Sequence, residues 1–196
     1  MPAALLLLAA ALGGLTEDEL QRVLAGETPV RSETFTSKSG RSAGRAVGAI
    51  VVDRPAAAVF AVLARYEDKA EYMPRLERVT VLEKSDTQVR AIMEVDVTLR
   101  TVRYTGLFTV DEPSWTVSWT LDPATSADEQ GIAETEGQWQ AFQIEPERTL
   151  LVYWTYVDSG RAVPKAIEGY LTTRSLPDLL AAVKRRVESG GAWSKD

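Results

Sequence analysis

Apolar and polar residues alternate along most of the middle of the chain, a pattern that predicts β-strands. The alternation is clearest over residues 89–99 and 102–110, where every second side chain is apolar. A two-residue period places the apolar side chains on one face of a sheet. Five further strands are predicted over 46–52, 76–83, 115–121, 133–141 and 149–157, and an extra edge strand over 30–36. Residues 149–157 are apolar on both faces, so their inward face stays open.

The alternation also predicts a pairing register for residues 89–99 and 102–110. A tight turn at Arg100-Thr101 would place Val97 opposite Tyr104 and Met93 opposite Phe108 on the apolar face. The turn lacks the Asn or Gly that two-residue hairpins favour. The predicted register therefore depends on the alternation alone.

Helical periodicity replaces this alternation near the C-terminus. Over residues 163–189, apolar side chains recur at three- and four-residue steps and form one stripe, with a cap-like Ser175-Leu-Pro-Asp178 that predicts a bend or restart. Such a stripe must face an apolar partner, and the sheet provides one. Shorter helices are predicted over 15–25, with a capping box at Thr16 and Glu19, and over 56–65 and 66–73.

The length of 196 residues, 45% of them hydrophobic, fits one domain with short extensions. Residues 1–14 resemble the apolar part of a signal peptide, with Ala11-Leu12-Gly13 as a small-x-small cleavage site but no preceding Lys or Arg. We expect an N-terminal helix and linker over 15–44, the main domain over 45–190 and a disordered tail over 191–196. A periplasmic or secreted location follows if the signal functions, and a cytoplasmic one otherwise.

Composition excludes several classes of function. The chain has no histidine and no cysteine, which excludes Ser-His-Asp and Cys-His catalysis, Cys/His zinc sites and disulfides. Its net charge is −6 and its basic residues are not clustered, so nucleic-acid binding is not expected. We predict no metal and no cofactor.

Several carboxylates are candidates for acid/base chemistry. Glu94 with Asp96, and Glu134 with Glu136, are two residues apart on predicted strands, which places each pair on one face. Each pair lies opposite the apolar row of its strand, so we favour a solvated face over catalysis. Asp122, in a polar loop, is likewise predicted to be solvated.

Three arginines, Arg90, Arg100 and Arg103, lie on or between the same strands. They can bind an anionic ligand head at a cavity mouth or pair with neighbouring carboxylates. We favour pairing with Glu94 and Asp96, in surface ion pairs that contribute less than about 1 kcal/mol.

The order of elements and several short phrases resemble the START-like helix-grip (SRPBCC) superfamily. The phrases are Pro55-Ala-Ala-Ala-Val-Phe60, Tyr72-Met-Pro-Arg-Leu-Glu77, Val79-Thr-Val-Leu-Glu83 and Ser175-Leu-Pro-Asp-Leu179. The likeness covers about residues 45–189 and is strongest to the polyketide cyclase/dehydrase, lipid-transport and coenzyme Q-binding branch. It implies an α+β helix-grip fold, in which a curved antiparallel sheet of about seven strands wraps around a long C-terminal helix.

The resemblance also implies a ligand cavity between sheet and helix. The residues expected around it share an apolar or aromatic side chain on the inner faces: Tyr72, Met73, Met93, Val95, Val97, Tyr104, Phe108, Trp119, Trp139, Ile167, Tyr170 and Leu171. We predict binding or transport of a lipid, sterol, quinone or polycyclic metabolite, with transient membrane contact during exchange. The family has no universal catalytic motif, so no catalytic residue is assigned.

Two alternatives remain. The first is a cyclase/dehydrase-type enzyme in which Tyr104, Tyr153, a Glu or an Arg inside the cavity does the acid/base work. A buried carboxylate among the aromatic residues would support it. The second is an interaction domain with a filled core and an exposed apolar patch. The sequence assigns no oligomeric state.

Overall fold

The structure, a computed structural model, describes residues 14–37, 40, 42–97, 101–125, 131–158 and 176–195. These residues form four helices, which are α1 (Glu17–Leu24), α2 (Ala56–Leu63), α3 (Lys69–Tyr72) and α4 (Leu176–Glu188). They also form eight strands, which are β1 (Val30–Thr36), β2 (Ser42–Val52), β3 (Leu76–Lys84), β4 (Gln88–Asp96), β5 (Thr101–Asp111), β6 (Thr116–Leu121), β7 (Glu134–Glu145) and β8 (Arg148–Asp158).

The eight strands form one antiparallel sheet in the order β1-β2-β8-β7-β6-β5-β4-β3. Consecutive strands from β3 to β8 are neighbours, whereas α2 and α3 connect β2 to β3 at the opposite edge. This curved sheet and its C-terminal helix confirm the predicted α+β helix-grip fold. The eighth strand is β1, which pairs with β2 along its whole length.

The sheet is covered on both faces around β2 and β8, which explains why β8 is apolar on both. Leu151 faces the main core with α2 and α4. Leu150 and Val152 face the other way and pack in a second cluster with Leu20 and Val23 of α1. The N-terminal helix, whose predicted capping box at its first turn is present, thus shields the outer face of the sheet around β2 and β8.

The register predicted for β4 and β5 is wrong. Met93 lies opposite Tyr104 and Val89 opposite Phe108, and the pairing ends with Asp96 opposite Thr101. The link is therefore the four residues 97–100, not a two-residue turn. Each β4 residue pairs with a β5 residue four positions away from the predicted partner. Because four is an even number, every side chain keeps its predicted face of the sheet.

The buried stripe of α4 includes Leu176, Leu180, Val183 and Val187. The first part of the predicted helix 163–189 lies outside the described residues, which resume at 176. Within the segment predicted as a disordered tail, Lys195 donates from Nζ to the carbonyl oxygens of residues 73 and 76, at 2.8 and 2.6 Å. No helix in the described ranges is both long and apolar enough to cross a bilayer.

Candidate ligand-binding cavity

A cavity of about 190 Å³ lies between the inner face of β4–β8, the segment 66–73 that carries α3, and Leu179 of α4. An apolar cavity of about 150 Å³ is already large enough to stay dry and bind benzene. The cavity therefore has room for a compact apolar ligand.

All but one of the predicted site residues that the structure describes line this cavity. They are Met73, Met93, Val95, Val97, Tyr104, Phe108, Trp119 and Trp139. Tyr72 is fully buried in the neighbouring core, with the guanidinium of Arg186 5.4 Å from its ring centroid. Ile167, Tyr170 and Leu171 lie outside the described residues. That any of these side chains binds a ligand remains a prediction.

Sequence reasoning did not place several lining residues in the site. They are Tyr66, Lys69, Val102, Ile132, Thr135, Thr155, Val157 and Leu179, whereas Tyr153 was expected in the cavity only for the enzyme alternative. Thr135 shares the inward face of β7 with Trp139, so the two-residue period could have found it. Tyr153 lies opposite Trp139, but β8 is apolar on both faces and gave no direction. Tyr66 precedes a helix of four residues and Lys69 begins it, and such a helix is too short to show a periodic pattern.

Aromatic rings form much of the cavity wall. Tyr153 lies between two tryptophans, with centroid distances of 4.4 Å to Trp139 and 5.7 Å to Trp119. Gly137 on β7 pairs with Trp119 on β6, and a Cβ atom there would collide with the indole ring. The missing side chain therefore lets the indole lie against the backbone of β7.

Lys69 is the charged residue among the described lining side chains. It is 3% exposed, and its Nζ donates to the carbonyl oxygen of Leu63 at 2.6 Å. Nζ also lies 4.4 Å from the ring centroid of Tyr66. Burial lowers the pKa of Lys69 to about 7, because the charged form loses its hydration.

Three tyrosines supply the other ionisable groups of the wall. Burial raises the pKa of Tyr66, of Tyr104 and of Tyr153, the last to about 12. All three are therefore neutral hydroxyls near neutral pH. No Asp or Glu is among the described lining residues, so no carboxylate pair from that part of the chain faces the cavity. Within the described ranges, no group of three potential ligands could hold a metal ion.

The carboxylates of β4 lie instead on the opposite face, in partly exposed ion pairs. Glu94 pairs with Arg78 at 3.5 Å and with Arg103 at 4.0 Å, and Asp96 pairs with Arg75 at 3.6 Å. The predicted pairing of Arg103 with Glu94 is confirmed. This arrangement is that of a strand face held by cross-strand charges rather than an acid/base site.

Two predictions about surface charges are wrong. Asp122 is only 4% exposed, not solvated, and accepts hydrogen bonds from Arg90 Nε at 2.8 Å and from the backbone of Ala124 at 2.9 Å. Arg90 pairs with Asp122 and Glu83 rather than with the carboxylates of β4. Asp122 directly follows β6, where its backbone N–H donates to Thr105 of β5, and its side chain meets Arg90 of β4 beyond that strand. Arg100 lies outside the described residues.

The curved sheet, the covering helix and the apolar cavity between them define a helix-grip protein with an internal ligand-sized site. The sequence places this protein in a family: residues 52–184 match the profile of the polyketide cyclase/dehydrase and lipid transport family. The chain belongs to that family. A comparison with curated proteins found no match.

Several solved structures share the fold. The Zhui aromatase/cyclase from Streptomyces sp. R1128 is 20% identical, with a TM-score of 0.62, over 83% of this chain and 94% of that one. A STAR-related lipid transfer protein fragment from Xanthomonas axonopodis is 13% identical, with a TM-score of 0.63, over 80% and 98%. Human STARD10 is 11% identical, with a TM-score of 0.64, over 84% and 73%. At these identities the likeness shows the fold alone.

Proposed function

We propose that the protein binds a hydrophobic small molecule in the cavity and acts as its carrier or sensor. The observation that carries this proposal is the apolar, aromatic-lined space of about 190 Å³ between the sheet and α4. Ligand sites have this character: a concave apolar wall with a few polar groups. Membership of a family described by polyketide cyclisation and lipid transport supports the same class of ligand.

The driving force is burial of apolar surface. A compact ligand that buries about 200 Å² gains roughly 5 kcal/mol, before the loss of translational freedom is subtracted. Tyr153, Trp119 and Trp139 would add flat contact surface at little conformational cost. The cavity is smaller than the roughly 300–1,000 Å³ typical of drug-sized sites. A one- or two-ring molecule, or one end of a longer lipid, fits that volume best.

Native mass spectrometry of the purified protein, followed by organic extraction, tests the carrier function. We expect a stoichiometric apolar ligand that extraction releases. The variant Met93→Trp fills the cavity from β4 and should abolish co-purification. Ile92→Trp places the same side chain on the opposite face of β4 and should leave it unchanged.

If the wild-type protein purifies without a ligand, titration with a panel of fatty acids, sterols and quinones tests whether it can bind one. Binding that Met93→Trp abolishes and Ile92→Trp preserves supports the proposal. Failure of every member to bind, or equal binding by both variants, would exclude the cavity as the ligand site.

A second candidate function is a cyclase/dehydrase-type reaction in the same cavity. It is favoured by Lys69, Tyr104 and Tyr153, whose nitrogen and hydroxyl groups line an otherwise apolar wall. A neutral amine could remove a proton next to a ketone, and a phenol could donate to the developing oxygen anion. Absorbance of an aromatic product from a linear triketone tests this function. Turnover by wild type that Tyr104→Phe lowers would support it, and no rate above buffer would exclude it.

We propose further that the chain is exported and that a quinone of the coenzyme Q type is one member of the ligand class. The apolar residues 1–14 and the small residues around Gly13 support export. Cell fractionation with N-terminal sequencing should find a mature start near Gly13 in the exported fraction. Ligand exchange would then involve transient membrane contact, which vesicle co-sedimentation measures.

A further inference from the structure

Lys69 is a buried amine in the wall of an apolar cavity, and no described carboxylate forms an ion pair with it. Its Nζ donates to the carbonyl oxygen of Leu63 at 2.6 Å and lies 4.4 Å from the ring centroid of Tyr66. An ammonium group carries three N–H donors, and these neighbours occupy at most two of them. Among the described residues, one N–H donor therefore has no acceptor, and we infer that an acceptor placed in the cavity can take it.

The carboxylates nearest in sequence are engaged elsewhere. Asp68 lies 3.8 Å from both Arg65 and Arg186, and Glu71 lies 2.7 Å from Arg186. Among the described residues, none of the carboxylates forms an ion pair with Lys69. The other ionisable groups among the described lining residues are the phenols of Tyr66, Tyr104 and Tyr153, which are neutral near pH 7.

Buried charges in proteins are normally paired, because an isolated ion in a medium of low dielectric constant is strongly disfavoured. A ligand with an anionic oxygen would supply both the missing counter-charge and the missing acceptor. The rest of the wall is apolar and aromatic, so the body of such a ligand must be hydrophobic.

We propose that Lys69 binds the anionic head of a hydrophobic acid, a compact apolar or aromatic body that carries one carboxylate or comparably acidic oxygen. This inference rests on the proposed carrier function and names the ligand class of the same cavity. The head would form a charge-assisted hydrogen bond to Nζ while the body packs against the tryptophans.

A pH dependence follows. In the free protein, burial lowers the pKa of Lys69 to about 7, so the amine loses its proton as the pH rises through neutrality. A bound anion favours the ammonium form and raises that pKa. Binding of the acid must therefore take up a proton at alkaline pH, and its affinity must fall as the pH rises above about 7.

A purely structural role for Lys69 predicts otherwise. The hydrogen bond to Leu63 satisfies a carbonyl at the end of α2, and a lysine that only caps this helix would be indifferent to ligand charge. The two roles are separated by comparing ligands that differ only in charge.

The experiment is isothermal titration calorimetry of the full chain with 2-naphthoate and with 2-naphthamide, a neutral compound of nearly equal shape. Wild type should bind the carboxylate at least roughly tenfold more tightly than the amide at about pH 6, and that preference should shrink at about pH 8.5. Lys69→Met should bind both compounds equally at either pH. Lys84→Met, at an exposed lysine paired with Glu67, should behave as wild type.

Each outcome is decisive. If the two compounds bind wild type equally, with no pH dependence, the role of Lys69 is overturned while the carrier function stands. If neither compound binds, the role of Lys69 falls, and the carrier function is decided separately by the extraction and the panel titration described above. If Lys69→Met does not fold, the charge preference and pH dependence of wild type still decide the question.

Discussion

Arg186 of α4 and Glu71 of α3 form an ion pair with 2.7 Å between Nη2 and Oε2. Arg186 is 7% exposed, and its guanidinium also donates to the carbonyl oxygen of Trp193 at 2.8 Å. One side chain thus joins the last helix, the short helix beside the cavity and the C-terminal residues. The position of α3, and with it the cavity wall, depends on this junction.

Replacing Arg186 with Met should therefore lower the free energy of unfolding by about 1–2 kcal/mol, because the buried arginine is lost and both the exposed carboxylate of Glu71 and the carbonyl of Trp193 lose their donor. Urea denaturation measures the change. Arg65→Met, at an exposed arginine 3.8 Å from Asp68, should change stability little. Equal effects of the two variants would contradict the role assigned to Arg186.

Lys69 should make stability rise with pH. Its folded pKa, about 7, lies below its ordinary value of 10.5, so the unfolded chain binds more protons between these values. The destabilisation caused by burying the ammonium is therefore largest below about pH 7. It decreases as the pH rises toward 10.5, where the amine is neutral in both the folded and the unfolded chain. The expected slope is at most ~1.4 kcal/mol per pH unit.

Lys69→Met removes this group and should be more stable than wild type at about pH 6, with the difference closing toward about pH 10. Urea unfolding of both proteins across this range gives the comparison. Lys84→Met, at an exposed lysine, is the control and should follow wild type. Parallel curves for wild type and Lys69→Met would show that the amine is not desolvated.

Gly137→Ala should destabilise the sheet because its Cβ would meet the indole of Trp119 and lie 2.6 Å from the carbonyl oxygen of Trp154. We expect a loss of about 1–3 kcal/mol, as for other overpacked sites. In a double-mutant cycle, Trp119→Leu should recover part of this loss, since the carbonyl contact remains. Simple additivity of the two changes would refute the contact.

Asp122→Asn should lower the urea midpoint at neutral pH more than Asp86→Asn does. Burial raises the pKa of Asp122, but hydrogen bonds from Ala124, Arg90 and Thr125 outweigh it and hold the pKa below the ordinary 3.8. The stability gained from the carboxylate is therefore present above about pH 4 and disappears as the pH falls through the lowered pKa. The urea midpoints of wild type and Asp122→Asn should converge at acidic pH. A difference between the midpoints that persists there would point to a purely steric cause.

The sequence predicted the strands well because alternation is a local consequence of strand geometry. Met93, Val95 and Phe108 could be assigned to the inner face even though their register was wrong, since the four-residue link shifts partners without exchanging faces. The pairing itself depends on where a turn closes, and the turn residues gave no signal for that.

Other parts of the site depend on contacts between distant elements. A lysine on a short helix is normally solvated, and Lys69 is buried only because α3 packs over the sheet. Asp122 is buried by Arg90, which lies 32 positions away in sequence. The inward face of β8 became definable only once α1 was seen to cover the outer face through Leu20 and Val23.

The absence of a side chain at Gly137 also affects how the size of the cavity can change through substitution. The indole of Trp119 occupies the space that a side chain there would fill, so the volume open to a ligand depends on how these two neighbouring positions share one layer of the wall. An exchange of large and small residues between adjacent strands would move that volume along the sheet without altering any backbone pairing. Ligand size in this scaffold is thus adjustable by compensated pairs of substitutions, with the fold itself left intact.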